Sequence, residues 1–327
     1  MGKHSVVDNK HSVVDKRYNT DMTLLCILGA TAVGKTEIAI NIALKINAEI
    51  VSVDSRQIYR KMDIGTAKPT DEQLKLVPHH AIDCVDPDQY FSVADYQNLA
   101  DFAIHDIKDR GKVPMLVGGS GMYFRAVIDG LFEGPSSDKE LRKRLKKEAE
   151  IFGIQHLYER LKSIDPKSAD KIHHNDLMRI IRALEVFELS GNRISDLQQQ
   201  WNSKNPRYSF IAFGLNRPRD ELYKRIELRI DKMMKDGFLD EVRSLANYDR
   251  DLPSMNCLGY KELLAYIDGK CSLDDAVELI KRNTRHYAKR QLTWFRKDNR
   301  IKWIDLSTCP SPESFIIDQF LQITLKV

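Results

Sequence analysis

The sequence predicts an α/β fold, a P-loop NTPase-like parallel sheet flanked by helices, with an all-helical domain inserted into it. Three observations carry this. Gly29-Ala30-Thr31-Ala32-Val33-Gly34-Lys35-Thr36 fits G-x-x-x-x-G-K-[ST] and stands between the apolar run Leu24–Leu28 and the helical pattern Ile38, Ile42, Ile46. Apolar β-rich runs alternate with helical patterns up to about residue 135 and return at Phe210. From Asp138 to about Gln200 only helical periodicity appears.

Taken in order, residues 1–22 open with a tandem repeat, Lys3–Asn9 followed by Lys10–Lys16. It is polar and too short to fold alone, so a disordered leader is expected there, with a metal-binding or targeting role for His4 and His11 as the alternative. The first part of the core is placed at 23–135. Glu49–Val53 reads as a second buried parallel strand ending at Asp54, and a helix runs from an N-cap at Ser92 through Tyr96, Leu99, Ala103 and Ile107 to Gly111. Val113–Val117 is a third strand, closed by Gly118-Gly119-Ser120-Gly121. The inserted helical domain is placed at 136–204, with apolar stripes at Leu141, Leu145, Ala149, then Leu157, Leu161, then Leu177, Ile180, Ile181, Leu184, Phe187. The second part of the core, 205–327, begins with a strand at Phe210–Leu215 and a helix from Pro218 to Gly237. Helices near 259–268 and 273–297 and a short strand at Ile301–Ile304 follow.

Bulk properties narrow the function classes. With 327 residues, 42% hydrophobic and 30% charged, the chain has the balance of a globular protein of two domains, or one with a large insertion. A net charge of only +4 means that an anionic partner must be met by local patches. Cys26, Cys84, Cys257, Cys271 and Cys309 show no C-x-x-C or His pairing, which argues against a zinc site and a disulfide framework and for a reducing cytoplasm. Neither a transmembrane span nor a signal peptide is readable.

The P-loop motif implies a bound di- or triphosphate: glycines let successive N–H groups point inward, Lys35 adds a point charge and Thr36 offers a hydroxyl to Mg²⁺. Enzymes that transfer or hydrolyse a terminal phosphate usually hold Mg²⁺ with a second acid behind an apolar strand. The strand at 113–117 instead runs into Gly118-Gly119. Asp54 is the carboxylate that ends a strand early enough to face the P-loop, as a Mg²⁺ ligand, a general base, or a plain turn residue. Two basic patches complete the picture. One, at 281–297, interleaves Tyr287, Trp294 and Phe295 with Lys281, Arg285 and Lys289 at helical spacing; the other is Arg142-Lys143-Arg144-Lys146-Lys147. Together they suggest a long polyanion lying across the protein.

With these residues assembled, the chain resembles the tRNA dimethylallyltransferases from about Leu24 to Trp303. The likeness rests on the P-loop at 29–36, V-D-S-R-Q-I-Y at 53–59, M-D-I-G-T-A-K-P at 62–69, G-G-S-G-M-Y at 118–123, N-D-L-M-R-I-I-R-A-L-E-V at 175–186, C-L-G-Y-K-E at 257–262 and T-R-H-Y-A-K-R-Q-L-T-W-F-R at 284–296. The resemblance implies that Gly29, Ala30, Thr31, Ala32, Val33, Gly34, Lys35 and Thr36 hold the pyrophosphate of dimethylallyl diphosphate, with Mg²⁺ on Thr36 and Arg229 as an extra clamp. It implies that Asp54 takes a proton from adenine N6 of adenosine 37, flipped out of the anticodon loop. It also implies that tRNA is contacted by Asp54, Ser55, Arg56 and Gln57; by Ser120 and Arg142; and by Met178, Arg179, Ile180, Ile181 and Arg182. Further contacts would come from Asn256, Cys257, Leu258, Gly259, Tyr260 and Lys261, and from Lys289, Arg290, Gln291, Leu292, Thr293, Trp294, Phe295 and Arg296. A monomer in the cytoplasm is expected.

Three features depart from the family pattern. Ala30 stands where proline is usual, His173-His174-Asn175-Asp176 replaces His-Pro-Asn-Asp, and the C-terminal zinc-finger extension of some relatives is missing. The competing readings are an adenylate isopentenyltransferase acting on free AMP or ATP, which has no use for two basic helices, and a nucleotide-gated RNA-binding module.

Overall fold

The computed structural model describes residues 23–203 and 205–324, so the expectations for the leader repeat, His4 and His11 lie outside the described residues. Its elements run β1 (Leu24–Gly29), α1 (Lys35–Ile46), β2 (Ala48–Val53), α2 (Asp71–Leu76), β3 (His79–His80), α3 (Val93–Asp109), β4 (Val113–Gly118), α4 (Gly121–Ile128), α5 (Lys139–Phe152), α6 (Ile154–Ile164) and α7 (Pro166–Ala169). They continue with α8 (Leu177–Ser190), α9 (Ile194–Leu197), α10 (Gln200–Ser203), β5 (Phe210–Asn216), α11 (Arg219–Lys235), α12 (Phe238–Ser244), α13 (Tyr260–Ile267), α14 (Leu273–Phe295), β6 (Ile301–Asp305) and α15 (Pro312–Thr324).

Six strands form one sheet in the order β3-β2-β4-β1-β5-β6, and every pairing is parallel. β1 and β2 are buried along their whole length, as strands covered on both faces must be; β1 is an unbroken apolar run, whereas β2 also buries Glu49 and Ser52, each with a hydrogen-bond partner. Because the strands are parallel, the segments after β1, β2, β4 and β5 all emerge at one edge. The P-loop, Asp54, Gly119-Ser120 and Arg217 therefore converge, although they lie nearly 200 residues apart in sequence.

Two apolar clusters cover the sheet, one beneath α1, α11, α13 and α14, the other beneath α3 and α4. The expected N-cap at Ser92 is present as a capping box with Asp95. Helices α5 to α9 pack around a third cluster of their own, centred on Leu145, Leu157, Ile180 and Leu184. The sequence reading missed β3, which has two residues, and the helices α2, α4, α12 and α15, each too short or too weakly patterned to signal itself.

Candidate active site

A cavity of about 530 Å³ opens at the carboxyl edge of the sheet. Its polar end is the P-loop. Gly29 has φ +151° and abuts β5 so closely that a Cβ there would lie 2.7 Å from the Leu215 carbonyl oxygen. Gly34, at φ +111°, caps α1, whose first-turn N–H groups have no helical acceptor and whose dipole favours an anion. Lys35 Nζ donates to the Gly29 and Ala30 carbonyls at 3.1 and 2.8 Å. Burial, helped by Arg229 and opposed by Asp54, pushes its pKa down to about 7.

Three arginines grip this loop from the far side. Arg229 Nη1 donates to Thr31 Oγ1 at 3.2 Å, Arg225 Nε to the Ala32 carbonyl at 2.9 Å and Arg217 Nε to the Val33 carbonyl at 2.9 Å. Ala32 is held at φ +63°, a conformation that the Arg225 bond supports. Arg229 was implied by the family resemblance; Arg217 and Arg225 were missed. Their signals were present: Arg225 precedes Arg229 by one helical turn, and Arg217 follows directly on β5.

Asp54 follows β2 and lines the same cavity. Its Oδ1 accepts the Arg56 N–H at 2.8 Å, so it shapes the local turn as well as facing the site. Burial raises its pKa, against the Arg56 N–H bond and the nearby Lys35 charge. Ser120 Oγ accepts the Ser55 N–H at 3.1 Å. The Gln57 amide accepts from Ser52 Oγ at 3.0 Å and donates to the Ala67 carbonyl at 3.0 Å, which brings the 62–69 segment to the cavity wall. Glu241, another residue missed in the sequence, fixes that segment by accepting the N–H groups of Asp63, Ile64 and Gly65 at 2.8, 2.7 and 3.0 Å. An apolar stretch of the wall is formed by Ile230, Met233, Phe238, Leu258 and Ile280.

The residues expected to meet RNA divide into two groups. Met178, Arg179, Asn256, Lys261, Lys289, Arg290, Thr293 and Arg296 are exposed, and Ser55, Arg56, Gln57, Ser120, Arg142, Arg182, Leu258, Leu292 and Trp294 are half-buried. Ile180, Ile181, Cys257, Gly259, Tyr260, Gln291 and Phe295 are buried, so their side chains pack within the protein rather than standing at its surface. Ile180 and Ile181 face the α5–α9 cluster, while Arg179 is exposed and Arg182 bends back to the buried Glu185. The basic face of α14 also needs correction. Lys281 pairs with Asp231 at 2.8 Å and Arg285 with Glu227 at 2.7 Å, both on α11, so of the three expected cations only Lys289 is unpaired among the described residues.

A metal ion held by protein alone has no place here, since no cluster of three His, Cys, Asp or Glu side chains suited to one exists among the described residues. Thr36, lining the cavity beside the P-loop, fits an ion bound mainly by phosphate oxygens and water, which is the usual habit of Mg²⁺.

Fold and site together define a P-loop protein whose anion cradle shares one cavity with a half-buried carboxylate and an apolar stretch of wall. A family profile described as IPP transferase matches residues 57–298. The chain is 47% identical to tRNA dimethylallyltransferase 2 of Geotalea uraniireducens, over 89% of this chain and 93% of that one. It is 48% identical to the tRNA dimethylallyltransferase of Halothermothrix orenii over 89% and 90%. Among solved structures it resembles the tRNA isopentenylpyrophosphate transferase of Bacillus halodurans, with TM-score 0.69, 42% identity and coverage of 93% and 97%. It also resembles a eukaryotic dimethylallyltransferase acting on tRNA, with TM-score 0.75, 27% identity and coverage of 92% and 80%. The chain belongs to the IPP transferase family, a family of prenyl-transferring enzymes.

Proposed function

We propose that this protein transfers the dimethylallyl group of dimethylallyl diphosphate to N6 of adenosine 37 in tRNA. The observation that carries the reading is the joining, in one cavity, of an anion cradle, a carboxylate and an apolar wall, with the exposed Arg290 at its rim. The diphosphate takes the P-loop end, where Lys35, Arg225 and Arg229 supply charge, and the isoprenoid lies along Ile230, Met233, Phe238 and Ile280. Mg²⁺, held by Thr36 and the diphosphate oxygens, would neutralise charge on the leaving group.

The acceptor base enters from the rim and presents its exocyclic amine to Asp54. As the C–O bond to diphosphate breaks and the C–N6 bond forms, the bonding pair leaves with pyrophosphate. Asp54 accepts the N6 proton, a role suited to a carboxyl whose pKa is raised by burial. The arginines hold their carbonyl partners turned outward, so the loop N–H groups remain aimed at the departing oxygens. Exposed Lys289, Arg290, Arg179 and Lys261 suit the phosphodiester backbone.

We read the protein as a cytoplasmic monomer; no helix among the described residues is long and apolar enough to cross a membrane. Competition decides the acceptor. With Mg²⁺ and dimethylallyl diphosphate, an anticodon stem-loop with adenosine 37 between adenosines should be prenylated in preference to AMP. Preferential modification of AMP, or no product at all, contradicts the reading.

A further inference from the structure

Gln291 is among the residues that the family likeness assigned to RNA, yet it is 6% exposed and bonded entirely within the protein. Its Oε1 accepts the Thr31 N–H of the P-loop at 2.9 Å, and its Nε2 donates to the Gly119 carbonyl, behind β4, at 3.0 Å. The two loops are shaped to receive it. A Cβ on Gly119 would stand 2.2 Å from Gln291 Nε2, so the glycine leaves the space that the amide fills.

Each end of this bridge continues into the site. Thr31 accepts through its hydroxyl from Arg229, the clamp at the diphosphate end. Gly119 and Ser120 both donate to the Val53 carbonyl, at 3.1 and 3.0 Å, and Ser120 Oγ accepts from Ser55, the neighbour of Asp54. One path thus runs from Arg229 through Thr31 and Gln291 to Gly119, and through its chain neighbour Ser120 to the Asp54 turn. Gln291 is carried by α14, where its neighbours Lys289 and Arg290 face solvent and Arg290 lines the cavity rim.

We infer that Gln291 is a positioning residue that couples the two substrate sites: it fixes the P-loop relative to Asp54 and passes RNA contact at Lys289 and Arg290 to the diphosphate cradle. This rests on the reading under "Proposed function". A planar amide suits the task because one group must accept from one loop and donate to the other, which a carboxylate cannot do. By linkage, RNA should then strengthen anion binding and the anion should strengthen RNA binding by the same factor.

The test uses the full chain with Mg²⁺ and measures inorganic pyrophosphate affinity by calorimetry, with and without an anticodon stem-loop. In the unsubstituted protein the RNA should tighten pyrophosphate binding about 5-fold or more. In Gln291→Met, of similar size but unable to make either bond, that factor should fall towards one while each ligand alone binds within about threefold of normal, and kcat should drop about 100-fold with KM for RNA unchanged. Gln291→Glu keeps the acceptor to Thr31 and loses the donor to Gly119; it should show a partial loss and serves if the methionine variant does not fold. Coupling that survives in both variants, loss of RNA affinity alone, or absence of coupling in the unsubstituted protein would overturn the inference. Because the pyrophosphate-coupling readout involves no chemistry, failure of prenyl transfer itself is seen separately, in the turnover of the unsubstituted protein.

Discussion

The chain holds two groups of arginines that look alike in sequence and differ in what they are bonded to. At the P-loop, Arg225 and Arg229 donate to a carbonyl and a hydroxyl, so their charge stays uncompensated and available to an anion. In α5, α6 and α8, Arg142 and Arg182 both pair with the buried Glu185, and Arg144 and Arg160 with Glu188. Each shared carboxylate compensates part of that charge, and the pairs hold helices together. Positive residues in a row measure potential for anion binding, but the partner decides whether that potential is free. In the second patch the exposed Lys143, Lys146 and Lys147 keep their charge, with no ion pair among the described residues.

This contrast can be broken at several points. The largest effect is expected at the active site: Asp54→Ala should lower turnover by about 100-fold or more while RNA affinity is kept, measured in single-turnover assays. A near-normal rate would leave Asp54 as a turn residue only. Next, Glu185→Gln should cost about 3 kcal/mol in urea unfolding, because Arg142 and Arg182 would lose the carboxylate that compensates them. If those arginines instead serve RNA in the folded protein, stability should barely change. Arg225→Ala should weaken pyrophosphate binding by about tenfold with little loss of stability, the reverse of the Glu185 pattern.

A third carboxylate sharpens the point through pH. Buried Glu49 accepts from Arg110, Lys112 and His80, and the Arg110 bond first among these holds its carboxyl below the usual range. A folded pKa lower than the unfolded one, near 4.3, means stability that is fully present above the unfolded value and is lost progressively as pH falls from there towards the folded one. The urea midpoint should fall between pH 5 and 3, and Glu49→Gln should flatten that slope. The smallest effect is reserved for the free lysines: neutralising Lys143, Lys146 and Lys147 together should reduce the salt dependence of RNA binding by up to about 0.7–0.9 per lysine that contacts phosphate.

What the sequence made legible follows the range of the interactions. The P-loop is local, and β1, β2, β4 and β5 announce themselves because strands buried on both faces are predominantly apolar. The arginine partners are not local: Arg142 finds Glu185 across 43 residues, and Arg225 finds Ala32 across 193. Gln291 lies between these cases. Thr284, Ala288, Gln291 and Phe295 are spaced four, three and four, the inward stripe of a helix, so its burial was readable even where the motif pointed outward. Which loops its amide would join was not.

The most direct test of the account is the mass of an anticodon stem-loop, with adenosine 37 flanked by adenosines, after incubation with this protein, Mg²⁺ and dimethylallyl diphosphate. The account predicts one C5H8 unit on N6 of adenosine 37 and one pyrophosphate released per RNA modified. Unchanged RNA mass, with the protein binding ATP more tightly than dimethylallyl diphosphate, would contradict it.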